Sequence, residues 1–301
     1  MEKSEIYCSN PLLMLQAVRV FAESGESIPE NVRARILSHA PLLKKVSKTD
    51  IRSELESMLM SRFAETEIKS LFECGILKVI LPQLDKCFYE PQKNKYHIYN
   101  VGEHILRTVA ASPYDISVRW AALLHDIGKP LCSSTDSGGI IHFYGHHTES
   151  VRIAKDICYK YSFDESLRRE ICLLIEYHDV HFEQSARGVK RALARMGEPS
   201  FIKLLMLQEA DARAKAPEYA KEKCAAIEQL REICANVVKS GEPYRYSDLA
   251  IGKRDLVKMK YRAEHQMRDV LRTLFDEVID DPSLNNREYL LKKAKKMKNF
   301  H

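Results

Sequence analysis

Histidines and aspartates sit inside apolar helical patterns between residues 104 and 211, and no other feature of the chain restricts its fold so strongly. His104 lies in YNVGEHILRTV, His125 and Asp126 in AALLHDIGKP, and His142, His146 and His147 in IHFYGHH. His178 lies in IEYHDVH and Asp211 in LLMLQEADARA. The stretch SVRWAALLHDIGKP reads as one helix, with Trp120, Leu123, Leu124 and Ile127 as its apolar stripe. Gly128, as a left-handed cap, and Pro130 are the expected stop signals. This reading puts His125 and Asp126 in the last turn of an apolar helix, where an ionised carboxylate is costly unless a cation faces it. His104 sits among Val101, Ile105 and Leu106, and Asp211 follows Leu207 by four residues and Leu204 by seven, on the same face. Polar groups on the apolar faces of separate helices require a common partner. Imidazole nitrogen and carboxylate oxygen are the donors of a borderline divalent metal ion.

Helical periodicity dominates the remainder, so the expected fold class is all-α. Helices are predicted over 10–24, 29–39, 48–60 and 65–74, and again from about 149, 166, 188, 200, 218, 253, 264 and 286. Only IIHFYG at 140–145 resembles a strand, which allows at most a small hairpin near 133–144. A polar stretch, DKCFYEPQKNKYH, separates the first helices from the histidine-rich region. Three segments follow: a helical bundle at 1–88, a metal-binding domain at 89–216, and a C-terminal helical region at 217–301 with a basic end. Hydrophobic content of 45% and charged content of 30% suit a soluble globular protein. No apolar run approaches the ~18 residues of a membrane span, and the start has no apolar signal region. The eight cysteines are scattered without a C-x-x-C pair, which reads as reduced thiols in a cytoplasmic protein.

The order His, then His-Asp, then Asp closely resembles the HD-domain metal-dependent phosphohydrolases. The resemblance extends further. PLLMLQAVR, SKTDIRSEL and LFECGILKVILPQL follow the order found in the neck of class II CCA-adding tRNA nucleotidyltransferases and bacterial poly(A) polymerases, whose bacterial bodies often contain an HD domain. HIYNVGEH, LLHDIGKP, HFYGHH, the His178 segment and EADARA keep that family's order, and DLAIGKRDLVKM and DDPSLNNREYLLKKAKK look like its body and tail. The resemblance implies an HD-domain helical bundle flanked by a neck-like N-terminal bundle and a C-terminal body and tail.

Two departures shape the functional expectation. The family's catalytic head, with its Gly-Ser and D-x-D site, is expected before residue 10 and does not appear in this sequence. Where the neck should open with Glu-Asp-x-x-Arg, the chain reads Ser9-Asn10-Pro11-Leu12-Leu13; where Ser-x-Glu-Arg-Ile should follow, it reads Ser47-Lys48-Thr49-Asp50-Ile51. Asn10 carries no charge and Leu13 donates nothing to a base edge. No nucleotide addition by this chain is therefore expected, and the retained metal motif is read as the working site.

The expected activity is metal-dependent phosphohydrolysis of a phosphomonoester or phosphodiester, on nucleotides or RNA-end phosphates. His104, His125, Asp126 and Asp211 are the expected ligands of a divalent transition metal, with Mn, Fe, Co, Ni and Zn all admissible. His125, Asp126 and Lys129 are the expected catalytic residues, with Lys129 facing a phosphate oxygen as HDIGK does in the resembling family. His146 and His178 are assigned to a second metal or to the phosphate, while His142, His181 and Asp179 are given no role. The alternative is a non-catalytic tRNA- or RNA-binding remnant with a structural metal. It rests on Arg187, Lys190, Arg191 and Arg195 at helical spacing and on the basic end. Of the net charge of +5, all lies from Lys253 onward, where 13 Lys/Arg face 8 Asp/Glu; the preceding chain carries 34 of each. The expected partners are a phosphorylated small molecule or nucleotide, with RNA as a further candidate and no membrane. The sequence carries no signal of oligomeric state.

Overall fold

The computed structural model describes residues 5–92 and 99–298. The polar linker expected over 85–97 is therefore described only to Gln92, and the basic end only to Lys298. Packing divides the chain into two compact units. One comprises the residues up to Val180 with Lys203–Ala225; the other comprises His181–Ile202 with Ala226 onward.

After a short Glu5–Ser9 helix, the first unit runs through four helices, Leu13–Ser24, Glu30–His39, Lys48–Leu59 and Ala64–Glu73, numbered here from Leu13–Ser24 and close to the predicted spans. Their apolar residues recur at three- and four-residue spacing and are buried: Met14, Leu15 and Val18 on the first helix, Ile51, Leu55, Met58 and Leu59 on the third. Gly25 ends the first helix at φ 73°, a left-handed cap that costs glycine little.

Five helices then frame the histidine-rich region: Val101–Ala111, Ile116–Leu124, His146–Lys160, Glu165–Tyr177 and Glu198–Arg213. Side-chain caps fix where three of them begin. Asn100 accepts from the Glu103 amide, Asp115 from the Ser117 and Val118 amides, and Asp164 from the Leu167 amide. Ile116–Leu124 is buried on every side from Ser117 onward and packs against Lys48–Leu59, Val101–Ala111 and Glu165–Tyr177. Arg119 on this helix is buried and donates to four backbone carbonyls, those of Leu59, Ser61, Ser112 and Pro113. It thereby ties the end of the Lys48–Leu59 helix to the helix that carries the His-Asp pair, and satisfies carbonyls that would otherwise be buried alone.

The predicted hairpin is present as Ser134–Thr135 paired antiparallel with Ile141–His142, with Ser134 opposite His142. Apart from it, the described residues contain helices, turns and loops, so the fold is all-α. Among the described residues, no helix is long and apolar enough to cross a membrane.

The structure corrects the expected His-Asp helix. It ends at Leu124, with His125 as its C-cap; Asp126, Ile127 and Gly128 form a turn before a short helix, Lys129–Cys132. Gly128 has φ −83°, an ordinary conformation, so it is no left-handed stop. Its requirement is spatial. A Cβ there would lie 2.6 Å from the Ser150 amide nitrogen and 2.7 Å from the His146 carbonyl oxygen. Glycine lets the His-Asp turn touch the first turn of the His146–Lys160 helix.

The second unit is built on Glu264–Asp280, with Ala186–Met196, Lys253–Lys258 and Arg287–Lys298. Its core includes Leu256, Val270, Leu274, Phe275, Val278, Leu290 and Ala294. The basic residues of Ala186–Met196 do not form a free stripe. Arg187 pairs with Asp280 at 2.7 Å and Arg191 with Asp276 at 2.9 Å, while Lys190 is buried and pairs with Glu242 at 2.6 Å. Arg195 is carried in the last turn of the same helix.

Candidate metal centre

Separate elements of the first unit deliver the histidines to one place. His104 comes from the middle of Val101–Ala111 and His125 from the end of Ile116–Leu124. His146 is the first residue of His146–Lys160, after the left-handed Gly145, and His178 caps the end of Glu165–Tyr177. At each ring, Nδ1 faces a backbone carbonyl: Ala122 at 2.8 Å for His125, Phe143 at 2.8 Å for His146, Ile175 at 2.7 Å for His178, and Ala214 at a longer 3.5 Å for His104. A carbonyl can only accept, so Nδ1 carries the proton and Nε2 presents its lone pair inward. For His125, His146 and His178 the carbonyl belongs to the residue three earlier, so local helix-end geometry sets the tautomer.

The Nε2 atoms meet in two pairs, His104 with His125 at 3.3 Å and His146 with His178 at 3.4 Å. Asp126 lies between them. Its Oδ2 is 3.4 Å from His104 Nε2 and 3.2 Å from His125 Nε2; its Oδ1 is 3.3 Å from His146 Nε2 and 3.7 Å from His178 Nε2. Asp211 completes the first set, with Oδ1 3.0 Å from His104 Nε2 and 3.7 Å from His125 Nε2. Asp179 completes the second, with Oδ2 3.1 Å from His146 Nε2 and 3.5 Å from His178 Nε2.

Two opposed imidazole lone pairs are tolerable only with a proton or a metal cation between them. Donors each about 2.1 Å from one ion lie roughly 3.0–3.4 Å apart, depending on its geometry, and both sets have spacings near that range. Three donor groups have the composition of a metal site: His104 with His125 and Asp211, His125 with Asp126 and His178, and His146 with His178 and Asp179. Neutral imidazole and carboxylate, without thiolate, suit a divalent transition ion. The residues present therefore fit such an ion.

The electrostatics follow from the same packing. Burial works against a charge on His125, but Asp126 and Asp211 outweigh it and lift that imidazole to about 10. Burial likewise opposes protonation of His146, and hydrogen bonds to Asp126 and Asp179 raise it to about 9. Burial would raise Asp126 and Asp211; instead His125 and Lys129 hold Asp126, and Lys215 with the histidines holds Asp211, well below the ordinary carboxylate range. Asp179 is held low by His178 and His146 against its own desolvation. The site is arranged to keep its carboxylates ionised and cation-facing.

Two lysines flank it. Lys129 Nζ is 2.6 Å from Asp126 Oδ2 and donates to Gln92 Oε1 at 2.8 Å; Lys215 Nζ is 2.6 Å from Asp211 Oδ2. A cavity of about 270 Å³ opens beside the cluster, lined by Asp126, Lys129, His146, His178, Asp179, Asp211 and Lys215, with Ile141 to Tyr144 on its hairpin side.

Of the residues the sequence singled out, the structure brings together His104, His125, Asp126, Asp211, Lys129, His146 and His178. Arg187, Lys190, Arg191 and Arg195 belong to the other unit. Sequence reasoning passed over Lys215, although its four-residue spacing from Asp211 was a legible signal. It also gave Asp179 no role, because the carboxylate faces His146 from another segment and no downstream carboxylate pattern marked it. His142, given no role from the sequence, is a strand residue lining the cavity.

Comparison with known proteins accords with this architecture. Residues 96–216 match the HD domain family model, and residues 27–88 match the model described as "Probable RNA and SrmB- binding site of polymerase A". The class defined by fold and site is thus a helical protein containing an HD domain. More particularly, the chain is homologous to the multifunctional CCA proteins. It is 28% identical over 227 residues to that of Paraburkholderia phymatum, covering 70% of this chain and 54% of the relative. It is 28% identical over 254 residues to that of Burkholderia pseudomallei, covering 79% and 60%. The chain thus spans less than two thirds of the length of these curated relatives. The crystal structure of the Bacillus stearothermophilus CCA-adding enzyme in complex with CTP superposes with a TM-score of 0.55 at 18% identity, over 99% of this chain and 64% of that one, a likeness of fold.

Proposed function

We propose that this protein is a metal-dependent phosphohydrolase of the HD type, acting on phosphomonoesters or phosphodiesters of nucleotides or RNA ends. The observation that supports this reading is the set of four Nε2 lone pairs converging on both oxygens of one buried aspartate, Asp126. In the reading, His104, His125, Asp126 and Asp211 hold one divalent ion, and His146, His178 and Asp179, with Asp126 between the two sets, hold a second ion or the substrate phosphate. A divalent ion bound there supplies Lewis acidity and a water molecule acidic enough to attack phosphorus near neutral pH. Asp126, kept ionised at all working pH, orients the donors on both sides. Lys129 and Lys215 line the cavity from opposite ligand carboxylates, where their ammonium groups meet the non-bridging phosphate oxygens and offset their charge. The backbone carbonyls behind the imidazoles keep Nδ1 protonated, so Nε2 is the atom that would meet a bound ion, which would displace the protons His125 and His146 carry there without it.

The mixed His and Asp donors, in contact with an open cavity, favour catalysis over a structural ion, since structural sites are usually closed and thiolate-rich. RNA contact is a compatible second reading, favoured by the match over residues 27–88. In this proposal the segments 1–88, 89–216 and 217–301 serve as neck, hydrolase and RNA-contacting body, in a cytoplasmic protein whose eight cysteines are free thiols. Asn10 and Leu13, which offer no charged edge to a base, argue against nucleotide addition. Elemental analysis of the purified protein, then turnover of phosphomonoesters and 2′,3′-cyclic nucleotides with the metal found, tests the reading. Metal-stimulated release of phosphate or ring opening is expected; no turnover with Mn, Fe, Co, Ni or Zn would overturn it.

A further inference from the structure

The hairpin wall of the cavity carries a device that the metal chemistry does not use. Asp136 sits in the turn, and its Oδ1 accepts from the Gly138 amide at 2.9 Å and the Ile140 amide at 3.0 Å. Its Oδ2 lies 2.8 Å from His142 Nε2. The His142 ring is thereby fixed in the plane at which Tyr144 meets it. The two rings are stacked, with centroids 5.2 Å apart and planes only 7° apart, and the Tyr144 hydroxyl lies 3.3 Å from His142 Nδ1. Tyr144 nevertheless leaves 77% of its surface exposed. Phe143, between the two, faces inward beneath Lys129, whose Nζ is 5.3 Å from its centroid. Within five residues the chain therefore supplies a fixed aromatic face, a contact to the lysine beside Asp126, and His146 of the donor cluster.

We infer that the His142–Tyr144 pair is a stacking platform for a nucleobase, which makes the site selective for nucleoside phosphates over phosphates without an aromatic ring. The physical reason is one of placement and economy. Tyr144 and His146 line the same cavity, two residues apart on a chain that spans at most about 7 Å over that separation. A ring held by Asp136 and His142 loses little freedom when a base lies on it. Every base has a π-face, so such a platform selects the presence of a base rather than its identity. The inference rests on the phosphohydrolase reading for its substrate, but it concerns binding and is measured separately.

The base belongs either to a free mononucleotide or to an RNA terminus, and the experiment has an arm for each. Calorimetric titration of the metal-free protein with adenosine 5′-monophosphate and with ribose 5-phosphate compares ligands that differ in the base. A second arm compares a trinucleotide bearing a 3′ phosphate with the same ribose 5-phosphate. Wild type is expected to bind at least one base-containing probe about tenfold more tightly than the sugar phosphate. Tyr144→Ala should erase that preference and Tyr144→Phe should keep it. Equal affinities in wild type, or a preference that survives Tyr144→Ala in both arms, would overturn the inference. Turnover of adenosine 5′-monophosphate and glycerol 2-phosphate by the Mn²⁺-loaded protein is read alongside. Absence of turnover on both counts against the hydrolase reading and leaves the binding comparison to decide the platform.

Discussion

Asp126 is the residue on which the site turns, because each of its oxygens serves a different pair of histidines. Its removal has two consequences. It deletes a donor to both sets, and it leaves Lys129, 2.6 Å away, without its carboxylate. A buried ammonium left alone is costly, so Asp126→Ala should lose several kcal/mol, about 3–5, as for other broken buried pairs. Asp126→Asn is the sharper variant, since it keeps shape and one acceptor. Metal that binds only the native state raises the melting temperature. We expect Asp126→Asn to lose most of that rise and to lose turnover, while far-ultraviolet circular dichroism stays native. A metal-induced shift equal to wild type would show that Asp126 is no ligand.

Glu67, on the Ala64–Glu73 helix, is a second residue with a measurable signature. It is fully buried, and neither carboxylate oxygen has a hydrogen-bond partner. Burial pushes it from its ordinary 4.5 up to about 7. The unfolded chain therefore releases this proton at lower pH than the folded one. Stability is greatest below about pH 4.5, falls as pH rises between about 4.5 and 7, and is level above that; this one group accounts for about 3 kcal/mol. Glu67→Gln removes the titration. Relative to wild type, the variant should melt several degrees higher at pH 8 than it does at pH 5. A wild-type-minus-variant difference that is the same at both pH values would refute this account.

At the scale of elements, the informative position is Gly128, where the His-Asp turn rests on the start of the His146–Lys160 helix. Gly128 N donates to Ser150 Oγ at 3.0 Å, and a methyl group would collide with the helix backbone. Gly128→Ala should separate the two, costing about 1–3 kcal/mol, and should weaken metal binding because His146 moves with its helix. Gly252→Ala is the control, since a Cβ there meets nothing within 4 Å. Equal melting temperatures for the two variants would argue against the contact. This glycine also marks where the sequence stopped being legible. Helix starts expected at about 253 and 264 fall at Lys253 and Glu264, because helical periodicity is local. The cluster of His104, His125, Asp126 and Asp211 was legible because polar groups on apolar faces stand out in any window. The helix end at Leu124, the approach at Gly128 and the pairing of Asp179 with His146 were not, because each depends on a segment distant in sequence. Lys190 is the same lesson inverted. Helical spacing put it on a basic stripe, but its partner Glu242 lies 52 residues away.

At the scale of the whole molecule, those ion pairs decide which cations are available to a polyanion. The net charge resides from Lys253 onward, and on the Arg287–Lys298 helix Lys292, Lys295 and Lys296 are exposed. Lys293 on that helix is partnered by Glu277 at 2.9 Å. On Ala186–Met196, by contrast, Arg187 and Arg191 face Asp280 and Asp276, so a phosphate that recruits them must displace a carboxylate of the same unit. If this chain binds RNA as proposed, the C-terminal lysines should supply the counterion release and the arginines of Ala186–Met196 should not. Each phosphate neutralised contributes about 0.7–0.9 to the slope of log affinity against log salt. Replacing Lys292, Lys295 and Lys296 together with Gln should flatten that slope by roughly 2, read by fluorescence anisotropy with a labelled RNA hairpin between 50 and 200 mM salt. The double change Arg187→Gln and Arg191→Gln should leave the slope as it is and lower the melting temperature instead. The opposite pattern, with the arginines governing the slope and the lysines without effect, would place the RNA-facing surface on the Ala186–Met196 helix and overturn the assignment.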